Sequence, residues 1–134
     1  MSLESVRAWL AEHAPDLPLI ETHESTATVE TAAKALGVEP GRIAKTLAVR
    51  AGNQTFLLVA RGDARLDNAK TKTAFGARPR MLDAEATFAL TGHPVGGVCP
   101  FGLAADLPIY LDETLKAFDT VYPAGGSLNT SGKV

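Results

Sequence analysis

Apolar residues recur at Leu3, Val6 and Leu10, the spacing of one helical stripe, with Ser2 placed to cap it and Pro15 and Pro18 placed to end it. Leu19–Thr22 reads as a short strand, followed by a polar loop over His23–Thr26. Thr28 is a cap for a second helix that runs through Leu36 and stops at Gly37. After the turn Glu39-Pro40-Gly41, alternating large and small apolar residues predict a strand over Ile43–Arg50. Ala51–Gln54 is a hairpin turn, and Thr55–Ala60 is the partner strand. Asp67 caps a helix to Phe75, stopped by Gly76. Arg80–Leu82 is a brief strand, and Asp83 caps a helix to Leu90. A glycine- and proline-rich loop spans Thr91–Gly102. Leu107–Leu111 and Thr120–Tyr122 are strands flanking a helical turn from Asp112 to Phe118. Residues 124–134 are flexible by composition. Helices and strands intermix without a strict βαβ repeat, which predicts an α+β domain with a mixed, mostly antiparallel sheet.

The length of 134 residues suits one domain spanning 1–134, and 46% hydrophobic with 21% charged residues excludes a disordered chain. No stretch approaches the roughly 20 apolar residues of a membrane span. The first residues carry two glutamates and no signal-like apolar run, so the expected compartment is the cytoplasm. Cys99 is the one cysteine, and the three histidines have no ligand spacing, so no metal site is expected.

Charge is distributed unevenly. Residues 1–41 hold two basic and seven acidic residues, a net of −5, and residues 81–134 hold two and six, a net of −4. Between them, residues 42–80 hold nine basic and two acidic residues, a net of +7. Such a block either forms a patch for a polyanion or scatters over separate solvated faces. Aromatic residues make up 6%, too few for a long base-stacking platform.

Lys45 breaks the pattern of its strand, sharing a face with Ile43, Leu47 and Val49. Two readings stand. Its ammonium reaches solvent at the sheet's rim, or it lines a pocket and meets an anionic or carbonyl-bearing ligand. Thr46 offers a hydroxyl from the other face. In the loop from Gly92 to Gly102, four of eleven residues are glycine, which allows backbone N–H groups to form an anion or oxyanion nest. Its apolar content implies packing against something. Cys99 and His93 raise a thiol nucleophile and its base as a rival, although a lone apolar-loop cysteine is more often simply packed. The loop is neither a Walker A loop nor a Rossmann fingerprint.

Three segments together resemble the YbaK/EbsC family, free-standing relatives of the editing domain inserted in bacterial prolyl-tRNA synthetases. They are Ile43–Leu47, Gly62-Asp63 before the helix near Asp67, and Gly96-Gly97-Val98-Cys99-Pro100-Phe101-Gly102, which contains the family's GxxxP loop. The resemblance implies a partly barrel-like sheet surrounded by helices, and hydrolysis of the ester of mischarged aminoacyl-tRNA without a cofactor. It places the essential lysine at Lys45, the pocket threonine at Thr46 and the substrate-holding loop at Gly96–Pro100. On this reading the N–H groups around Gly96, Gly97, Val98 and Cys99 hold the aminoacyl carbonyl oxygen, while Val98 and Phe101 sieve the side chain. Arg61, Arg65, Lys70, Lys72 and Arg78 bind the acceptor stem. The implied partners are the aminoacyl-tRNA acceptor end and an aminoacyl-tRNA synthetase. The alternatives are a non-catalytic tRNA-binding module and a cysteine-dependent ester hydrolase. Family members continue past a Gly-Gly like Gly125-Gly126 into a further strand and helix, so the resemblance also implies a shortened end here.

Overall fold

The computed structural model describes residues 2–134, with the backbone alone at Ser2. Ser2 begins helix α1 (Ser2–His13), and its expected capping side chain lies outside the described residues. The chain continues through β1 (Leu19–Glu21), α2 (Val29–Leu36), β2 (Ile43–Ala51), β3 (Gln54–Arg61), α3 (Asn68–Phe75), β4 (Pro79–Met81) and α4 (Ala84–Thr91). It ends through β5 (Ile109–Leu111), a 3-10 turn over Glu113–Ala117, β6 (Tyr122–Pro123) and β7 (Thr130–Gly132).

Local chemistry explains the helix ends. Thr28 and Thr31 cap α2 reciprocally, each hydroxyl accepting the other residue's backbone N–H. Asp67 and Asp83 accept the N–H groups of Lys70 and Ala86 at 2.9 and 2.8 Å. Gly37, Gly76 and Gly92 close the three helices in the left-handed region, where side chains are disfavoured.

The main sheet runs in the order β4-β2-β3-β5, with β6 also paired to β2. The β2–β3 hairpin and the β2–β4 pair are antiparallel, while β2–β6 and β3–β5 are parallel. The sheet is therefore mixed and, counted by paired residues, mostly antiparallel, as the pattern predicts. It does not close into a barrel. A second sheet of β1 and β7 is tied to it by a bridge between Ala124 and Ser131. Helix α1 packs Val6 and Leu10 on Cys99, while Ala32 and Ala33 of α2 cover Ile43. At the hairpin end, Phe56 stacks on Phe75 at 4.3 Å and Tyr110 meets both edge-on.

The end of the chain departs from expectation. Composition predicts a flexible segment from 124, yet Thr130–Gly132 pairs in register with Leu19–Glu21. Thr130 and Ser131 are buried. Gly125 is required by packing, since a Cβ there would stand 2.8 Å from both Leu19 Cδ1 and Thr130 Oγ1. The small polar residues that look like a linker are small because two segments cross closely. The N–H groups of Gly125 and Lys133 donate to Thr130 and Pro18 carbonyls at 2.9 and 3.1 Å. Native-state hydrogen exchange should show both amides protected well above a random-coil rate. Exchange at the coil rate would leave the composition-based reading correct.

Candidate active site: a cleft at the split edge of the sheet

Strand β2 has one edge fully paired with β3 and one edge shared by two short strands. Strand β4 covers Val49–Ala51 and β6 covers Ile43 and Ala44. Between them the edge is open. Backbone groups along a strand point alternately to its two sides. Leu82 N–H donates to Ala48 C=O on the β4 side at 3.0 Å. Thr46, two residues earlier, therefore turns its N–H and C=O toward the same side, into the gap. The opposite strand agrees: Leu57 and Val59, paired with Ala48 and Thr46, bond away from β2 to the Pro108 C=O and Asp112 N–H.

A cleft of about 330 Å3 occupies this gap. Its walls are β2 from Ile43 to Ala48, the start of α2 with Thr26–Val29, the loop residues Val95, Gly96 and Val98, and Ala124 and Ser131. Gly96 has φ +94, and a Cβ there would lie 2.9 Å from Ala27 Cβ, so only glycine lets this loop approach α2 so closely. Among the described residues, the N–H groups of Gly96 and Val98 have no protein acceptor. The Gly97 N–H is taken by Pro94 C=O at 2.9 Å, and Gly97 C=O accepts from Gly126 N–H at 3.0 Å.

Lys45 lines the cleft half-buried, which favours the pocket reading over the solvated rim. Its Nζ donates to the carbonyls of Gly62, at 3.4 Å, and Ala64. These belong to the turn between β3 and α3. An ammonium has three donors, so one remains for a ligand. The turn can reach Lys45 because residue 62 is glycine, as a Cβ there would stand 2.3 Å from Pro40 O. The Thr46 hydroxyl also belongs to the cleft. Its Oγ1 is buried and has no hydrogen-bond partner among the described residues. Leaving such a group unpaired costs about 1–3 kcal/mol, a cost that a polar group or water entering the cleft offsets.

The structure divides the other expected residues. Pro100 and Phe101 do not face the cleft. They line a separate apolar groove of about 850 Å3 with Trp9, Leu115, Phe118 and Val134. Cys99 is fully buried against Val6 and Leu10. Its Sγ lies 3.7 Å from His93 Nε2, so the suspected pair does meet. Burial pushes the thiol up to about 12 and pushes His93 below its usual range. A thiol in that state is no nucleophile at neutral pH. Arg61 pairs with Asp63 through two bonds of 2.6 and 2.9 Å and lies over Phe118. Arg65, Lys70, Lys72 and Arg78 are exposed and have no carboxylate partner among the described residues. Sequence reasoning missed Thr26, Thr28, Thr87 and Ser131, hydroxyl residues from three segments that also line the cleft.

The aminoacyl-tRNA editing domain model matches residues 23–134. The chain belongs to the aminoacyl-tRNA editing domain family. Within it, the protein YwhH of Bacillus subtilis (strain 168) is 48% identical over 132 residues, covering 98% of this chain and 84% of its own. A protein of Enterococcus faecalis provisionally named Cys-tRNA(Pro)/Cys-tRNA(Cys) deacylase EbsC is 36% identical over 106 residues, 77% of this chain and 64% of its own. A crystal structure provisionally assigned as a trans-editing enzyme for prolyl tRNA synthetase superposes with a TM-score of 0.91 at 34% identity. It covers 99% of this chain and 85% of the other. In this editing domain two of the three segments that carry the resemblance contribute Lys45 and Gly96 to the lining of one cleft.

Iodoacetamide should alkylate Cys99 in the folded editing domain at least 100-fold more slowly than in urea-unfolded chain at pH 8, because the raised thiol pKa leaves almost no thiolate. Equal rates in both states would restore the cysteine as a candidate nucleophile.

Proposed function

We propose that the chain acts in trans to hydrolyse the ester of a mischarged tRNA, a small amino acid on tRNA-Pro or a related tRNA. The observation that carries this reading is the cleft at the open edge of β2, lined by Lys45, by Thr46, whose hydroxyl has no partner among the described residues, and by Gly96 and Val98. The prolyl connection is supported by the names borne by EbsC and the trans-editing crystal structure.

The ester carbonyl fits between the loop and β2. The Gly96 and Val98 N–H groups stabilise the charge that develops on its oxygen as water attacks. Lys45, fixed by two carbonyls, gives its remaining donor to a phosphate or carbonyl oxygen of the substrate. An aminoacyl ester is already activated, so a held water assisted by a ribose hydroxyl suffices. A volume of about 330 Å3 lies at the small end of ligand pockets and favours small aminoacyl groups. Arg65, Lys70, Lys72 and Arg78 supply the sequence-independent attraction to the acceptor stem, and affinity falls as salt rises.

The test is deacylation of Ala, Cys, Ser, Thr and Pro carried on tRNAs for Pro, Ala and Thr. One or two of these should turn over, and Lys45→Ala should lower kcat/KM by about 10²–10³, the scale of losing one charge-stabilising group. Salt-sensitive tRNA binding with no turnover on any substrate would replace this reading with the non-catalytic module.

A further inference from the structure

The loop that carries Gly96 and Val98 has little regular structure to hold it. Its two ends are fastened to α4 and to the segment after it: Ala104 and Ala105 N–H donate to Thr91 and Leu90 carbonyls at 3.1 and 3.0 Å. Inside these fastenings a side chain makes the next link. The His93 Nε2 lies 2.7 Å from Phe101 O. A carbonyl can only accept, so Nε2 carries the proton and Nδ1 is a bare acceptor. The bond spans eight residues of chain, and Val95, Gly96 and Val98 hang between its ends. The backbone that carries this ring is itself held, because the His93 main-chain N–H donates to Thr91 Oγ1 at 3.0 Å and that hydroxyl donates to Thr87 O at 2.6 Å.

Two further observations separate this residue from ordinary core filling. His93 is wholly buried, yet Nδ1 has no partner among the described residues. An apolar side chain of similar size would fill the same space without an orphaned nitrogen. The polar ring therefore does something that packing alone does not require. Its other neighbour, the Cys99 thiol, points at the same Phe101 carbonyl at 3.8 Å, so the Phe101 peptide is the shared anchor of the buried side of the loop.

We propose that His93 is a positioning residue for the cleft. By donating Nε2–H to Phe101 it closes the loop into a fixed span, and so sets where the Gly96 and Val98 N–H groups point. The inference rests on the editing reading for its kinetic consequence, but not for its structural one.

The experiment compares His93→Gln with His93→Leu. A glutamine amide nitrogen lies the same number of bonds from Cα as imidazole Nε2 and can donate to Phe101 O, whereas leucine fills the space without a donor. Thermal unfolding checks that both variants fold. His93→Leu should lower kcat for deacylation about 100-fold with KM changed less than about threefold, the size of loss expected when reacting groups are displaced by an ångström. His93→Gln should recover kcat to within about tenfold of the parent. The amide 1H–15N resonances of Gly96 and Val98 should shift or broaden in His93→Leu and return toward their parent positions in His93→Gln. These resonances are read without substrate. If the parent chain deacylates nothing, the editing reading fails while the resonances still decide the role of His93. Resonances left in place by His93→Leu, or a glutamine variant no better than leucine, would overturn the inference. So would a leucine variant that keeps full kcat.

Discussion

Strand β2 cannot be paired along its whole outer edge, and the site follows from that. Strand β4 reaches it from one end and β6 from the other, in opposite directions, and neither covers Lys45–Leu47. An unpaired edge inside a folded protein is normally filled, twisted away or covered, because exposed backbone groups invite pairing. Here it is roofed at a distance by the glycine loop and the start of α2, leaving a cavity rather than a contact. The backbone N–H and C=O of Thr46 and its hydroxyl lie at that cavity without protein partners among the described residues. Each is a cost to folding unless a polar partner meets it.

The same gap explains the lysine. An ammonium on a strand face with Ile43, Leu47 and Val49 would be unstable without acceptors. The β3–α3 turn brings two carbonyls to it, which fixes the side chain without neutralising its charge. The turn is possible only because Gly62 lets the backbone pass against Pro40 and Ile43. The Arg61–Asp63 pair lies on either side of that glycine, and Arg42 and Arg61 both lie over Phe118 at 4.9 Å. Arg61 is thus engaged in shaping the turn that seats Lys45, whereas Arg65, Lys70, Lys72 and Arg78 stay exposed to solvent.

How much was legible in the sequence depended on how local the cause was. The caps at Thr28, Asp67 and Asp83 and the stops at Gly37 and Gly76 were readable because each is satisfied within one helical turn, whereas Gly92, which closes α4, was read only as part of the loop that follows. Strand β7 was not, because its partner β1 lies near the other end of the chain and its glycines look like a linker until the crossing is seen. Lys45 stood out by breaking a strict alternation. Thr26, Thr28, Thr87 and Ser131 did not, since four unremarkable hydroxyls become a cleft wall only after folding. In the glycine loop, composition identified the segment but not its sides. Val98 faces the cleft, while Cys99 enters the core and Pro100 and Phe101 line the opposite groove. The His93–Cys99 encounter was suspected from residue type, and its burial turned a candidate nucleophile into part of the loop's support.

The central claim is that substrate occupies the gap at the open edge of β2. It is tested most directly by titrating the 15N-labelled chain with a 3′-aminoacylamino-adenosine, in which an amide replaces the labile ester. The Thr46, Gly96 and Val98 amides should move together and saturably, while those of Ile109, Leu111 and Val121 in the apolar groove stay in place. Movement confined to the groove residues, with the Thr46 amide unchanged at saturation, would contradict it.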